Sequence, residues 1–545
     1  MKKKKSNFLV HGSILAIAAI LSRVIGLLYR VPMKHTITDE GMGYYGSAYT
    51  IYALGLLISS YSIPIGVSKM ISAKMVKKEY HNANRIFHCS LIYGMISGGV
   101  AAIAVYLYAC FGMKGTMENS ALALKVLAPA IFLMAILGVF RGYYQGLNTM
   151  IPTSISQIAE QILNAIVSIL AAYLLVKPYV SDREGNREII ATRGAAGGTL
   201  GTLAGVVAGL LFVLFVYVLY RPTIKKQLRR DKTQYQDSYG EIFKILILTI
   251  TPVILSTALY NLSTTVDVFL YNYVLTKKQY TASEANTLWG IYSNEYNTMT
   301  SVPISIANAI SSAMIPSITT AIAIKDYSQA REKIKMATKF TMTVSLPCAV
   351  GMGVLASPIM RLVFRDANPI PARLLQLGAV TIIFYSLSTV SNAILQGMGK
   401  MNYPIKHSVI SLVIHAIVAY ILLQVFDMTI YAILISTIVF SLSMCVLNAM
   451  AIKKHLQYKQ EWLKSFLLPF MCSVIMGAVA FFVYKLVFLL IPVNEVAFIV
   501  AFLAAVIVYF SLMILTQAIS PTELLSFPKG QLLVKIAKKC KLIPS

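Results

Sequence analysis

Apolar runs of membrane length follow one another from residue 7 to residue 518, separated by short polar segments. A run of about 20 apolar residues crosses a hydrocarbon core of about 30 Å as a helix. None of the runs alternates apolar and polar positions as a barrel strand would, and lone segments in lipid satisfy their backbones only as helices. The pattern predicts an all-α polytopic membrane protein of about fourteen transmembrane helices. The expected spans are 7–33, 45–73, 87–112, 119–142, 153–177, 194–220, 242–275, 288–323, 337–364, 371–397, 404–426, 428–452, 465–491 and 494–518.

Composition agrees, with 57% hydrophobic residues, 13% charged and mean hydropathy +0.70. The net charge of +27 changes the picture only through its placement. Lysines and arginines crowd the amino terminus (MKKKK), then KMVKKEYHNANR, RPTIKKQLRRDK, KDYSQAREKIK and KKHLQYKQEWLK, and finally the tail PKGQLLVKIAKKCK. These are alternate loops, and the positive-inside rule assigns them, with both termini, to the cytoplasm. The charge is a topology device that also attracts anionic lipid, and not a nucleic-acid surface. A lysine cluster before ILAIAAI has a signal-peptide look, but thirteen further spans and an intramembrane Arg23 favour a retained helix. Six cysteines form no CxxC or zinc spacing, so neither a disulfide framework nor a metal site follows.

The chain also repeats itself. KEYHNANR after the second span is answered by KDYSQARE after the eighth, and SIPIGVSKMIS (62–72) by SVPISIANAIS (301–311). QGLNTMIP from Gln145 is answered by QGMGKMNYP from Gln396, and NAIV at Asn164 by HAIV at His415. Six spans per half give both halves the same orientation. The expected organisation is a lobe over 1–220, a basic linker over 221–241, a second lobe over 242–452, two extra helices over 453–518 and a basic cytoplasmic tail over 519–545. Transporters built from such repeats bind substrate near midplane and alternate access. Pro64, Pro252, Pro303 and Pro347 interrupt helices, whereas Gly197, Gly201, Gly205 and Gly209 suit close helix packing.

Charges inside the apolar runs carry the functional reading. A guanidinium at bilayer depth costs at least about 2.5–3.5 kcal/mol unless it faces water or a partner. Arg23 and Arg30 lie seven residues apart in the first span, roughly on one helix face, and with Lys69 they define a candidate cationic cavity for an anionic substrate. Snorkelling to the interface is the plainer reading for Arg30 and Lys69. Glu160, Asp267, Glu295 and His415 are further cavity or coupling candidates. Asp267, among threonines and an asparagine, offers oxygens to Na+; His415 can relay H+ or serve a structural hydrogen bond. Arg141 falls at a cytoplasmic span end, where the positive-inside rule accounts for it. Catalytic patterns are missing. GMGK at 397–400 is not a Walker motif, and Gly41, Gly43 and Gly46 spell a GxGxxG with no preceding strand.

SRVIGLLYR in the first span, SIPIGVSKMIS, and QGLNTMIP with its second copy resemble the multidrug/oligosaccharidyl-lipid/polysaccharide (MOP) exporter superfamily. The similarity runs to its polysaccharide biosynthesis members of the stage V sporulation protein B type and the lipid II flippase MurJ family. The resemblance implies two six-helix lobes, helices thirteen and fourteen forming a groove for a polyprenyl tail, and flipping of a polyprenyl-pyrophosphate-linked sugar. That substrate is lipid II or a related precursor, moved from the inner to the outer leaflet of the bacterial cell membrane. The transporter so implied is a monomer in contact with membrane lipids and cell-wall synthesis proteins, without nucleic acid, and not an enzyme. Arg23 takes the place of a family cavity arginine. A second family arginine falls at Tyr29, with Arg30 displaced by one, and Lys69 and Glu295 stand where further arginines are expected. Asp267 matches the family's seventh-helix sodium ligand, whereas its eleventh-helix asparagine and aspartate fall near Ser411 and His415. A cation-coupled multidrug exporter and a membrane-embedded glycan polymerase or ligase are the alternatives.

Overall fold

The computed structural model describes residues 7–519 except 232, 234–236 and 366–367, with side chains from residue 18 except 19, 20, 249, 252–260, 309, 312, 313, 316, 317 and 323. MKKKK, residues 520–545 of the expected tail, Cys540 and the side chain of Pro252 lie outside the described residues.

Seventeen α-helices occur among the described residues, and no strand. The first eight are α1 (Asn7–Ser59), α2 (Ile63–Val76), α3 (Tyr80–Phe111), α4 (Ala121–Gly146), α5 (Ile151–Val176), α6 (Arg187–Arg229), α7 (Tyr239–Lys277) and α8 (Ala282–Gly290). They are followed by α9 (Asn297–Ala323), α10 (Tyr327–Val354), α11 (Ala356–Phe364), α12 (Pro369–Gly378) and α13 (Val380–Gly397). The last four are α14 (Asn402–Gln424), α15 (Thr429–Leu456), α16 (Leu468–Leu490) and α17 (Asn494–Leu515). Each of the fourteen expected spans lies on a helix or a broken pair. By length and apolarity, ten helices among the described residues can cross a membrane, or eleven if a bent pair counts as one span. The protein is a multi-pass helical membrane protein; the count of fourteen is not reached by that measure.

Three breaks depart from the expected spans. KHTITDEGMG is no loop: helix continues on both sides of Thr38, whose φ of 69° and ψ of 171° kink α1. Three of the charged groups that made it look like a loop, Lys34, Asp39 and Glu40, are paired inside the protein. Lys34 pairs with Asp39 at 3.2 Å, and buried Glu40 accepts from the Tyr44 hydroxyl at 2.8 Å, Arg187 Nε at 3.1 Å and Ser283 Oγ at 2.8 Å. The second span breaks after Ser59 and resumes at α2 with Pro64 in its first turn, where a missing N–H is no loss. The ninth bends by 83° between α10 and α11.

The described residues pack as two compact units, one within 1–294 with 420–430 and the other within 295–419 with 431–545. In the first, α5 and α6 approach on the glycine series: a Cβ on Gly197 would sit 2.6 Å from the Ala172 backbone, and one on Gly205 2.5 Å from the Glu160 carbonyl oxygen. Gly41, Gly43 and Gly46 serve the same purpose. A Cβ on Gly43 would fall 1.9 Å from the Asn286 carbonyl oxygen, and one on Gly290 2.0 Å from that of Asp39, so α1 and α8 cross at contact distance. Thr281 and Glu284 form a capping box that starts α8, as Ser238 and Glu241 do for α7. In the second unit, α16 and α17 pack Cys472, Met476 and Ala480 with Ala501, Ala505 and Tyr509, and the Tyr509 hydroxyl donates to the Thr343 carbonyl at 2.8 Å.

The repeat is visible in the backbone. Lys78 and Lys325, matched in the sequence, have φ of 60° and 59°; Asn148 and Gly399, also matched, have 58° and 71°. Each ends a helix in the left-handed conformation that Asn and Gly tolerate best.

Candidate functional site

The first unit holds most of the candidate residues. Tyr45, Tyr49 and Tyr52 are spaced four and three apart on α1 and so share one face. Tyr45 and Tyr49 stack at 5.8 Å, Tyr49 and Tyr52 lie 5.5 Å apart, and the Tyr29 and Tyr45 hydroxyls are 3.3 Å from each other. Half-buried Arg30 sits among Tyr29, Tyr45 and Tyr49. Tyr49, Tyr52 and Tyr61 lie within electrostatic reach of Glu160. Arg30, these tyrosines and Glu160 therefore share one electrostatic neighbourhood in the first unit. Arg23, about two turns earlier, is exposed on α1. A guanidinium in that place needs an aqueous or anionic surrounding, because lipid supplies neither.

Glu160 itself is held in an ion pair. Arg141 Nη2 lies 2.7 Å from its carboxylate, and Arg141 Nε donates to Ser156 Oγ at 3.0 Å. The pair corrects the expectation for Arg141, which is no flanking charge: its side chain is 9% exposed. Its partner is 19 residues away on the next helix, and no local sequence rule links the two.

The remaining candidates are dispersed. Lys69 is exposed on α2 and shares none of these contacts. Asp267 is buried on α7, with Ser263 one turn earlier, also buried. Asn272 is already engaged, donating to the Val268 carbonyl at 2.8 Å and accepting from Thr116 at 2.6 Å. Among the described residues no three His, Cys, Asp or Glu side chains gather as a metal centre. In the second unit, Glu295 is fully buried in the wide π-helical turn Ile291–Tyr296 that joins α8 to α9. Such turns mark functional positions often enough to keep Glu295 of interest. His415, also buried, sets its ring edge-on to Phe440 at 5.8 Å, with Ser411 one turn earlier.

Two polar clusters were not legible in the sequence. One is the Glu40 cluster already described. The other joins His407, Asn448, Ser391 and Asn392: His407 Nδ1 lies 2.7 Å from Asn448 Oδ1, whose Nδ2 donates to Ser391 and Asn392 at 2.9 and 2.8 Å. Single polar residues inside apolar runs were the available signal.

A family model described as polysaccharide biosynthesis protein matches residues 9–322. The chain belongs to that family. A second model, MatE, matches residues 252–421. Among curated proteins the chain is 24% identical to the lipid II flippase MurJ of Bacillus subtilis (strain 168) over 494 residues, 87% of this chain and 88% of that one. It is 23% identical to stage V sporulation protein B of the same organism over 483 residues, 87% and 90% of the two. Among solved structures it resembles a lipid II flippase MurJ in an inward closed conformation, with TM-score 0.66 and 15% identity over 92% of this chain and 98% of that one. It also resembles an inward-facing multidrug resistance MATE family transporter of the MOP superfamily, with TM-score 0.61 and 14% identity over 84% and 98%. The fold is that of MOP superfamily transporters.

Proposed function

We propose that this protein is a flippase for a polyprenyl-pyrophosphate-linked sugar, lipid II or a related cell-wall or polysaccharide precursor, working by alternating access with both termini in the cytoplasm. The observation that carries the reading is the pair of arginines on membrane-embedded α1, one exposed and one held among tyrosines. Guanidinium groups recognise pyrophosphate by paired charge-assisted hydrogen bonds, and tyrosine faces and hydroxyls suit the sugar. Family membership and the similarity to MurJ support the same substrate class. Asp267 is the candidate coupling carboxylate for Na+ or H+. Helices α16 and α17 are the candidates to carry the prenyl tail, and cell-wall synthesis proteins are the partners such a flippase would serve. A multidrug exporter is the second reading, carried by the MATE-like fold; a cationic stripe argues against cationic drugs.

The test is rescue of a bacterium depleted of its own lipid II flippase, scored by exposure of lipid II outside the membrane, with protein levels checked. Rescue by wild type and a loss of at least about tenfold in flipping with Arg23→Ala is expected, since one charge-assisted contact is worth about 1.5–3 kcal/mol. Failure of a well-expressed wild type would overturn lipid II as substrate; equal rescue by Arg23→Ala would remove Arg23 from the site.

A further inference from the structure

The internal repeat exposes a difference between the two units that no local pattern reveals. In the first unit Phe87 of α3, Phe140 and Tyr143 of α4 and Tyr217 of α6 fill the space between their helices with ring contacts of 4.6 to 6.1 Å. The matched turns before α3 and α10 place Ile334 opposite Phe87 in the repeat. The matched QG pairs ending α4 and α13 place Ser391 at Phe140 and Ile394 at Tyr143. Three aromatic side chains are thus replaced by smaller ones, two isoleucines and a serine, and the space they fill in one unit stands open in the other.

That space is a cavity of about 680 Å³ among α10, α13, α15 and the segment leading into α16. Its walls are apolar, with Ile334, Phe384, Leu387, Ile394, Leu442 and Met450 among them. Its mouth is not. Lys453 and Lys459 line it with Tyr458, Gln460 and Trp462, on a basic loop that the charge pattern assigns to the cytoplasmic face. Tyr458 is 9% exposed, and neither its hydroxyl nor the Gln460 side-chain nitrogen has a hydrogen-bond partner. Burial pushes the Tyr458 hydroxyl up to about 12, so at neutral pH it remains a donor. Two carboxylates, Glu461 and Glu332, lie within electrostatic reach of Tyr458, and Glu461 is held by Lys335 at 3.2 Å. Trp462, 69% exposed, stands where an interfacial indole belongs.

We propose that this cavity is a resident site for an anionic phospholipid of the cytoplasmic leaflet, one acyl chain between α10, α13 and α15 and the phosphate at Lys453, Lys459, Tyr458 and Gln460. The volume lies in the range of about 300–1,000 Å³ typical of small-molecule sites. Two buried donors without partners at the rim of an apolar cavity call for acceptor oxygens attached to a hydrocarbon chain. Free phosphate would leave the apolar walls uncovered. Anionic lipid is concentrated where lysines of this kind sit. The site is built wholly within the second unit.

Native mass spectrometry of the full-length protein in detergent tests this, with phosphatidylglycerol, phosphatidylcholine and a polyprenyl phosphate offered at equal concentration. Wild type is expected to retain one phosphatidylglycerol in preference to the other two. Lys453→Gln with Lys459→Gln should reduce the preference over phosphatidylcholine about thirtyfold, from about 1 kcal/mol per cation near an anionic leaflet. Ser391→Phe with Ile394→Tyr, which rebuilds the aromatic filling of the first unit, should abolish retention. Equal retention of phosphatidylcholine, displacement by the polyprenyl phosphate, or undiminished retention by the filled variant would each overturn the proposal. Should the filled variant not fold, the lysine pair decides: an unchanged preference overturns the site.

Discussion

Replacing Glu160 by Gln should destabilise the first unit severely, because it leaves Arg141 charged and buried. Arg141 and Glu160 meet at 2.7 Å with 9% and 15% of their side chains exposed. Removing one member of a buried ion pair costs about 3–5 kcal/mol, most of it the desolvation of the charge left behind. Ser156 still accepts from Arg141 Nε at 3.0 Å, and Glu160 keeps some exposure, so the low end, about 3 kcal/mol, is expected. Arg141→Met with Glu160→Leu removes both charges at similar volume and should recover most of that loss. The assay is the thermal midpoint of the monomer peak of full-length protein in detergent, with the two single variants completing a double-mutant cycle. Midpoints within a degree of wild type for Glu160→Gln, or a double variant as damaged as the sum of its singles, would refute the argument.

At the crossing of α1 and α8, Gly43→Ala and Gly290→Ala each place a Cβ about 2 Å from a backbone oxygen, and each should cost about 1–3 kcal/mol in the same thermal assay. Gly26→Ala, with nothing within 4 Å, should be neutral or stabilising by about 0.5–1 kcal/mol; equal effects at all three positions would contradict the crossing. In the turn between α2 and α3, hydrogen bonds from Lys74 and then Asn82 hold the Glu79 carboxyl below its ordinary value of 4.5. Depressed in the folded state, this group contributes stability above pH 4.5 that is lost as pH falls through the lowered value. The midpoint difference between wild type and Glu79→Gln should therefore close on acidification from pH 6 to below pH 4.5, and a constant difference would speak against it. Asp267→Asn should abolish any Na+ or H+ dependence of flipping in proteoliposomes while leaving membrane levels unchanged; retained ion dependence would exclude Asp267 from coupling.

Apolar run length and the alternation of basic loops determined that this chain is a polytopic helical protein, because lipid permits little else for such a sequence. The repeat, too, was legible, and the paired positive φ angles at Lys78 and Lys325 show that matched letters adopt matched backbone. Arg23 and Arg30 could be singled out because charge in an apolar run is conspicuous by itself. What a charge meets is another matter, decided by helices that approach through tertiary packing. Arg141 sits near a span end in the sequence, yet it is buried against Glu160 on the next helix. KHTITDEGMG has the composition of a loop, but Glu40 is satisfied by Arg187 and Ser283, far along the chain, and the segment stays helical around Thr38. The cavity of the second unit is the extreme case. Ile334, Ser391 and Ile394 are ordinary residues in their own helices, and only the packing of α10, α13 and α15 turns their smallness into volume. Periodicity and charge are properties of a segment; pairing and volume are properties of the distances between segments.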